Sequence, residues 1–229
     1  MASNDQGVRV VVSKDGPYVV TGQVPLVQQT IRTNELGEAE YWDQGAELSV
    51  PQKYALCRCG KSEKKPFCDG THAHIGFDGT ETASRKTHRE QAKVFNGPGY
   101  SLLDVPALCS TAQFCDAHGK VWQQIKHTDQ SEIRSSFLRQ VARCPAGRLV
   151  ALDAAGKPIE PELPRSIALV EDPAQECRGP IWVRGGIEVV AADGFAYEVR
   201  NRVTLCRCGE SKNKPFCDGT HASIKFTSK

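Results

Sequence analysis

The sequence predicts an α+β, mainly β protein: two β-rich units related by a pseudo-twofold axis, with a small α/β insert between them. Three observations predict it. Leu56 to Phe77, LCRCGKSEKKPFCDGTHAHIGF, returns as Leu205 to Phe226, LCRCGESKNKPFCDGTHASIKF, identical at 17 of 22 positions with a constant offset of 149. A repeat of that fidelity marks a duplicated structural unit. Short runs of β-branched and aromatic residues bounded by Gly and Pro lie upstream of each copy and read as strands. A helical period stands out at Ser131 to Arg143, where Ile133, Phe137 and Val141 fall at i, i+4 and i+8.

Taken in order, Val8 to Val12 and then Gly16-Pro17-Tyr18-Val19-Val20-Thr21-Gly22 open the first repeat as two strands. Ile167 to Val170 and Gly179-Pro180-Ile181-Trp182-Val183-Arg184-Gly185 open the second in the same way. Each repeat is thus a few strands leading into a cysteine loop. Pro66 predicts a short helix starting there and running through Ala73, with Ser62 near enough to cap it. Asp78 to Gln91 is polar and charged and reads as a linker. The insert holds a turn at Asn96-Gly97-Pro98-Gly99, strand-like runs near Leu102 and Leu149, and the helix, which Cys144-Pro145 ends because proline cannot continue the ladder. Asp193-Gly194 predicts a hairpin turn from Val189-Val190 into Phe195 to Val199. The resulting segments are 1–91, 92–164 and 165–229. A unit can still borrow a strand from the other repeat, so limits along the chain need not be limits in space.

Composition removes several function classes. With 229 residues the chain can bury one good core or two to three small ones. A formal net charge of +2 without a basic stripe gives no electrostatic case for nucleic acid. The short basic patch Lys61 to Lys65 belongs to the cysteine motif instead. The first residues, Met-Ala-Ser-Asn-Asp-Gln-Gly, lack a basic n-region followed by an apolar one, so no secretory signal is expected. The longest apolar runs fall far short of the roughly 18 residues that span a bilayer. The expectation is a soluble, cytoplasmic protein with no membrane partner.

Six of the ten cysteines sit in two tight clusters, each with a histidine. Two cysteines separated by one residue make a strained disulfide, and in a reducing compartment such clusters are metal sites. The candidate sites are Cys57, Cys59, Cys68, His72 and Cys206, Cys208, Cys217, His221, spaced C-x-C, eight residues, C-x3-H. Cys68 and His72 fall at i and i+4, one face of a helical turn. Gly60 lets the backbone turn close to the metal. Thiolates with one imidazole suit an iron–sulfur cluster or zinc.

The string C-x-C-x2-S-x3-P-x-C-D-G-T-H resembles the CDGSH iron–sulfur (NEET) family, and both copies fit it without a gap. The resemblance implies a β-rich fold of two units about a twofold axis, and a [2Fe–2S] cluster at each site held by three Cys and one His. Duplication supplies both halves here, so a monomer with two clusters is expected. The competing reading is a Cys3His zinc ribbon, which favours C-x2-C over C-x-C. A neutral imidazole in place of a thiolate raises the reduction potential, and Arg58, Lys65, Arg207 and Lys214 would add to it. Imidazole is also the donor most readily protonated. Two functions follow: one-electron transfer or redox sensing with a redox protein, or cluster donation to an apo-acceptor. Paired carboxylates, a phosphate loop and a nucleophile–base pair are all missing, so no enzyme is expected. Asp69 and Asp218 read as groups that orient the motif rather than as catalytic acids.

The insert carries Cys109, Cys115 and Cys144, and Cys144-Pro145-Ala146-Gly147 resembles the last ligand segment of single-cluster ferredoxins. The insert therefore looks like a divergent ferredoxin-like domain. Such a ferredoxin would carry a fourth ligand at position 112, which is Ala112. A degenerate site with its cysteines packed as small hydrophobes is expected. The alternative is a third cluster, [3Fe–4S] or [4Fe–4S], with His118 or Cys177 as a candidate fourth ligand. His74, His88 and His127 lack partner spacing and read as surface residues, and Trp42, Trp122 and Trp182 read as packing residues.

Overall fold

The computed structural model describes residues 7–227. The first repeat forms β1 (Arg9–Val12), β2 (Tyr18–Thr21), β3 (Leu26–Thr33), β4 (Ala39–Leu48), β5 (Lys53–Leu56) and the one-turn helix α1 (Thr71–His74). After α2 (His88–Gln91) comes the insert, with β6 (Lys93–Gly97), β7 (Tyr100–Asp104), α3 (Val121–Gln124), α4 (Ser131–Arg143), β8 (Leu149–Leu152) and β9 (Pro158–Ile159). The second repeat forms β10 (Ser166–Asp172), β11 (Cys177–Arg184), β12 (Glu188–Val190), β13 (Arg202–Leu205) and α5 (Thr220–Ser223).

The mainly β architecture is realised with a reciprocal strand exchange. One sheet has the order β12-β1-β2-β5 and another β13-β11-β10-β3-β4. The third strand of each repeat leaves its own unit and pairs in parallel with the first strand of the other: β12 on β1, with Val10 opposite Val189, and β3 on β10, with Val27 opposite Ala168. A third sheet, β6-β7-β8-β9, belongs to the insert. The exchange makes each unit a product of both repeats and ties them into one core. Val10, Tyr18, Leu26 and Leu56 pack in a single cluster with Ile167, Ile181, Val203 and Leu205.

The two units differ in how fully they are covered. β1 and β2 alternate buried and accessible residues, as a sheet packed on one face does. β10 and β11 are buried on both faces, because Ala112 and Phe114 of the insert join Val27, Ile31, Ala168, Val170 and Trp182 in a second cluster. Trp42 stacks at 4.8 Å from Trp182 and 4.9 Å from Phe114 in the same place. The insert has its own core of Leu102, Val121, Ile125, Phe137, Val141 and Leu149; of the predicted helical face Phe137 and Val141 turn into it, while Ile133, a turn earlier, is only half-buried.

Several local expectations change. The motif helices start at Thr71 and Thr220 rather than at Pro66, each entered through a left-handed glycine, Gly70 and Gly219. Asp78 to Gln91 is no slack linker. Thr82 and Ala83 donate backbone hydrogen bonds to the Lys214 carbonyl, and α2 is closed by a capping box between Thr87 and Glu90. His88 is buried rather than exposed: its backbone N–H donates to Glu198 and its ring Nε2 lies 3.0 Å from the Arg148 carbonyl oxygen. The Asp193-Gly194 turn forms, with Ala191 donating to the Phe195 carbonyl, but the following residues make only one bridge, Val190 with Ala196. β12 takes its main partner from the other repeat instead.

Candidate metal centres

Each motif is positioned by the end of a strand. β5 delivers Cys57 and β13 delivers Cys206, and the chain then loops out and folds back on the strand it left. Bridges Leu56–Phe67 and Leu205–Phe216 close these loops. Cys57 donates its N–H to the Pro66 carbonyl and Cys68 donates to Ala55 (2.8 and 2.9 Å). Cys206 and Cys217 repeat this with Pro215 and Thr204. The serine in each loop pins it rather than capping a helix: Ser62 Oγ donates to the Phe67 carbonyl at 2.7 Å and accepts from Lys64 N–H at 3.0 Å. Asp69 accepts from Glu63 N–H, Thr71 N–H and the Thr71 hydroxyl, and Asp218 accepts from Lys212 and Thr220 alike. The Thr71 hydroxyl and these backbone donors hold the Asp69 carboxyl well below the usual range. Both aspartates therefore staple the loop to the helix start.

In each unit the donor atoms fall into two pairs. Cys57 Sγ lies 3.8 Å from Cys59 Sγ, and Cys68 Sγ lies 3.4 Å from His72 Nδ1. In the second unit the distances are 3.7 Å for Cys206 with Cys208 and 3.3 Å for Cys217 with His221. Among the described residues, no three His, Cys, Asp or Glu side chains converge on a single point as one metal ion requires. The hydrogen bond between the Cys206 and Cys208 thiols lowers Cys206 and raises Cys208. Burial raises the Cys59 and Cys217 thiols. For the thiols that are raised, a bound cation would favour the deprotonated form.

The two motifs stand back to back. A Cβ on Gly60 would lie 2.3 Å from the Cys208 carbonyl oxygen, and one on Gly209 would lie 2.5 Å from that of Cys59. Both glycines have positive φ, 75° and 88°. Arg58 and Arg207, between the paired cysteines, are both buried. Arg58 donates to the Ser13 and Gly79 carbonyls, and Arg207 to those of Val170 and Gly179, with Glu171 3.1 Å away. Lys65 donates to the Ser62 carbonyl. These cations chiefly fasten the motif to its surroundings.

Symmetry breaks around the Cys–His pair. Cys68 and His72 are half-buried, whereas Cys217 and His221 are each 3% exposed. Burial and the Arg207 charge lower His221 to about 4. Thr111 of the insert stands against it, its Oγ1 3.4 Å from His221 Nε2. Tyr18 is a second asymmetric element. Its hydroxyl donates to the carbonyls of Cys206 (2.8 Å) and Pro215 (3.0 Å), so the first repeat braces the second motif. Its counterpart Ile181 has no hydroxyl and shares a small cavity with Cys57 and Pro66. Neither Tyr18 nor Thr111 was singled out from the sequence. The Tyr/Ile mismatch between aligned repeats was the available sign of the first.

A duplicated β protein that gathers three cysteines and one histidine at the end of one strand in each unit is thereby defined. Among protein families, the one described as iron-binding zinc finger CDGSH type matches the chain twice, over residues 15–73 and 178–222. The chain carries two CDGSH-type iron-binding units and is an iron–sulfur protein. Curated proteins and solved structures gave no match in the same comparisons. Among the described residues, no helix is long and apolar enough to cross a membrane.

Proposed function

We propose that the protein binds two [2Fe–2S] clusters, one through Cys57, Cys59, Cys68 and His72 and one through Cys206, Cys208, Cys217 and His221, and exchanges single electrons through them. The observation that carries this reading is the pairing of donors, two and two in each unit. A rhombic cluster presents two irons, each needing two protein ligands, whereas structural zinc draws four donors around one centre. The donor chemistry fits: thiolates and one imidazole are the ligands such clusters take, and both C-x-C pairs are desolvated. When bound, the cluster supplies a one-electron couple whose potential the imidazole raises. The chain's residues fix the donors, exclude water from the C-x-C side and, through the back-to-back loops, keep the two units in register.

On this reading the partner is a redox protein, a single chain suffices as a monomer, and no catalytic step is assigned to it. A second reading, cluster donation to an apo-acceptor, draws on the half-buried Cys68–His72 pair, which gives one unit a more open exit. Iron, sulfide and zinc analysis of anaerobically purified protein tests the first premise: about four iron and four sulfide per chain are expected, and about two zinc without sulfide would overturn it. Acid should release the clusters, and His72→Cys with His221→Cys should make them last longer. Equal loss rates in parent and double variant would remove His as the weak point. Reversible cycling with a reductase supports electron exchange, and transfer to an apo-ferredoxin that the double variant abolishes supports donation.

A further inference from the structure

The insert's cysteines come together in space. Cys109, Cys115 and Cys144, separated by up to 35 positions, line one small cavity with Arg148. All three are half-buried, Cys115 and Cys144 at the edge of the insert's hydrophobic core. Neither His118 nor Cys177 lines that cavity. His118 instead lies 3.7 Å from Glu40, and Cys177 opens β11.

The backbone around the thiols is unusual. Among the described residues, none of the six successive N–H groups of residues 110–115 donates to an oxygen acceptor. Ser110, Ala112 and Phe114 are nonetheless buried. Gln113 is exposed and its N–H can reach water, whereas buried backbone donors are almost always paired, so those of Ser110, Ala112 and Phe114 call for an acceptor. Thr111 and Gln113 both have positive φ, 56° and 59°, without being glycine. Alternating conformations of this kind gather successive N–H groups into an anion-binding concavity. Arg148 adds a fixed cation to the same wall, held in place by Asp104 at 2.6 Å. One carboxylate opposes it: Asp116 lies 3.8 Å from Cys115 Sγ. Three cysteines packed merely as small hydrophobes would leave these donors unexplained.

We infer that Cys109, Cys115 and Cys144 hold a third, cuboidal iron–sulfur cluster through three thiolates, with the N–H groups of residues 110–115 donating to its sulfur atoms. Three protein thiolates fill a three-iron cube, or leave one iron of a four-iron cube to a non-protein ligand. The site also adjoins the second unit. Thr111 of the same loop meets His221, and a Cβ on Gly219 would lie 3.2 Å from the Cys109 carbonyl oxygen. The third centre thus sits beside the Cys217–His221 half of the second unit, where the buried imidazole faces the insert instead of solvent.

The proposal rests on this chain assembling clusters, and the test separates it from the two-cluster reading. The full-length protein and its Cys115→Ser/Cys144→Ser variant are purified anaerobically and compared for iron and sulfide per chain and for electron paramagnetic resonance, oxidised and reduced. The parent is expected to carry about seven or eight iron, and the variant about four. An oxidised three-iron cube is paramagnetic while an oxidised [2Fe–2S] cluster is not, so a signal in the oxidised parent, absent from the variant, identifies the three-iron form. A four-iron cube adds a reduced-state signal that the variant lacks. About four iron in both proteins, an excess that survives the substitutions, or zinc in place of the excess overturns the proposal. Retention of the [2Fe–2S] absorption bands in the variant reports that it has folded, and fewer than about four iron there would count against the two-cluster reading instead.

Discussion

Replacing Gly60 by alanine tests whether the two motifs buttress each other. At φ 75° an L-residue pays for the left-handed conformation, about 1–2 kcal/mol. The new methyl would also sit 2.3 Å from the Cys208 carbonyl oxygen, a backbone atom that cannot swing aside. Overpacking of that kind costs about 1–3 kcal/mol, so Gly60→Ala is expected to lose about 2–5 kcal/mol in all. Gly70→Ala is the control: φ is 91°, but nothing lies within 4 Å of its Cβ, and only the backbone cost of about 1–2 kcal/mol applies. Guanidinium unfolding followed by tryptophan fluorescence, with iron content measured alongside, separates the two. The methyl lands on the other unit's loop, so Gly60→Ala should also lower occupancy at the second motif. Equal destabilisation of the two variants, within about 0.5 kcal/mol, would refute the back-to-back packing.

Tyr18→Phe removes the hydroxyl that braces Cys206 and Pro215 and should cost about 1–1.5 kcal/mol, speeding cluster loss from the second unit. Bleaching followed in variants with a single intact motif checks the assignment, and an effect confined to the first unit would contradict it. Arg202→Met should be severe, at about 3–5 kcal/mol by denaturant unfolding. The buried guanidinium donates to the carbonyls of Val141, Ala142, Cys144 and Leu149 and pairs with Glu160, so its loss undocks the insert; a cost under about 1 kcal/mol would sink that account. His88, lowered chiefly by burial and further by the Arg200 charge, predicts a pH dependence. Its folded pKa lies below the unfolded value of about 6.5, so only the unfolded chain takes up the proton as pH falls through that value. Stability from this group is present at neutral pH and lost on acidification. The stability difference between His88→Gln and the parent should shift in the variant's favour between about pH 7 and 5.5, and a pH-independent difference would contradict it.

The candidate donors of the two motifs are legible in the chain alone. All four donors of each lie within 16 residues, and their meeting depends on local geometry: a strand end, a turn back and one helical turn. The spacing of Cys68 to His72 survived even though the helix starts five residues later than Pro66 suggested, because the i, i+4 relation holds across the loop and the single turn. The gap-free repeat likewise announced the duplication, and the β-branched and aromatic runs bounded by Gly and Pro announced β1, β2, β10 and β11.

How the copies combine depends on pairings between segments far apart in the chain. A strand's side-chain pattern says which face is buried, not which chain segment it pairs with, so the exchange of β3 and β12 is invisible in either repeat alone. The same holds for every contact made at long sequence separation: Gly60 against Cys208, Tyr18 against Pro215, Thr111 against His221. Two motifs identical in their donors thus become unequal, since the insert covers one imidazole and leaves the other half-open. His88 looked like surface because its polarity is local, while its burial comes from Arg148 and Glu198, 60 and 110 residues away. The insert's three cysteines were legible as letters, but their meeting in one cavity exists only once the chain between Cys109 and Cys115 has been folded against the second sheet.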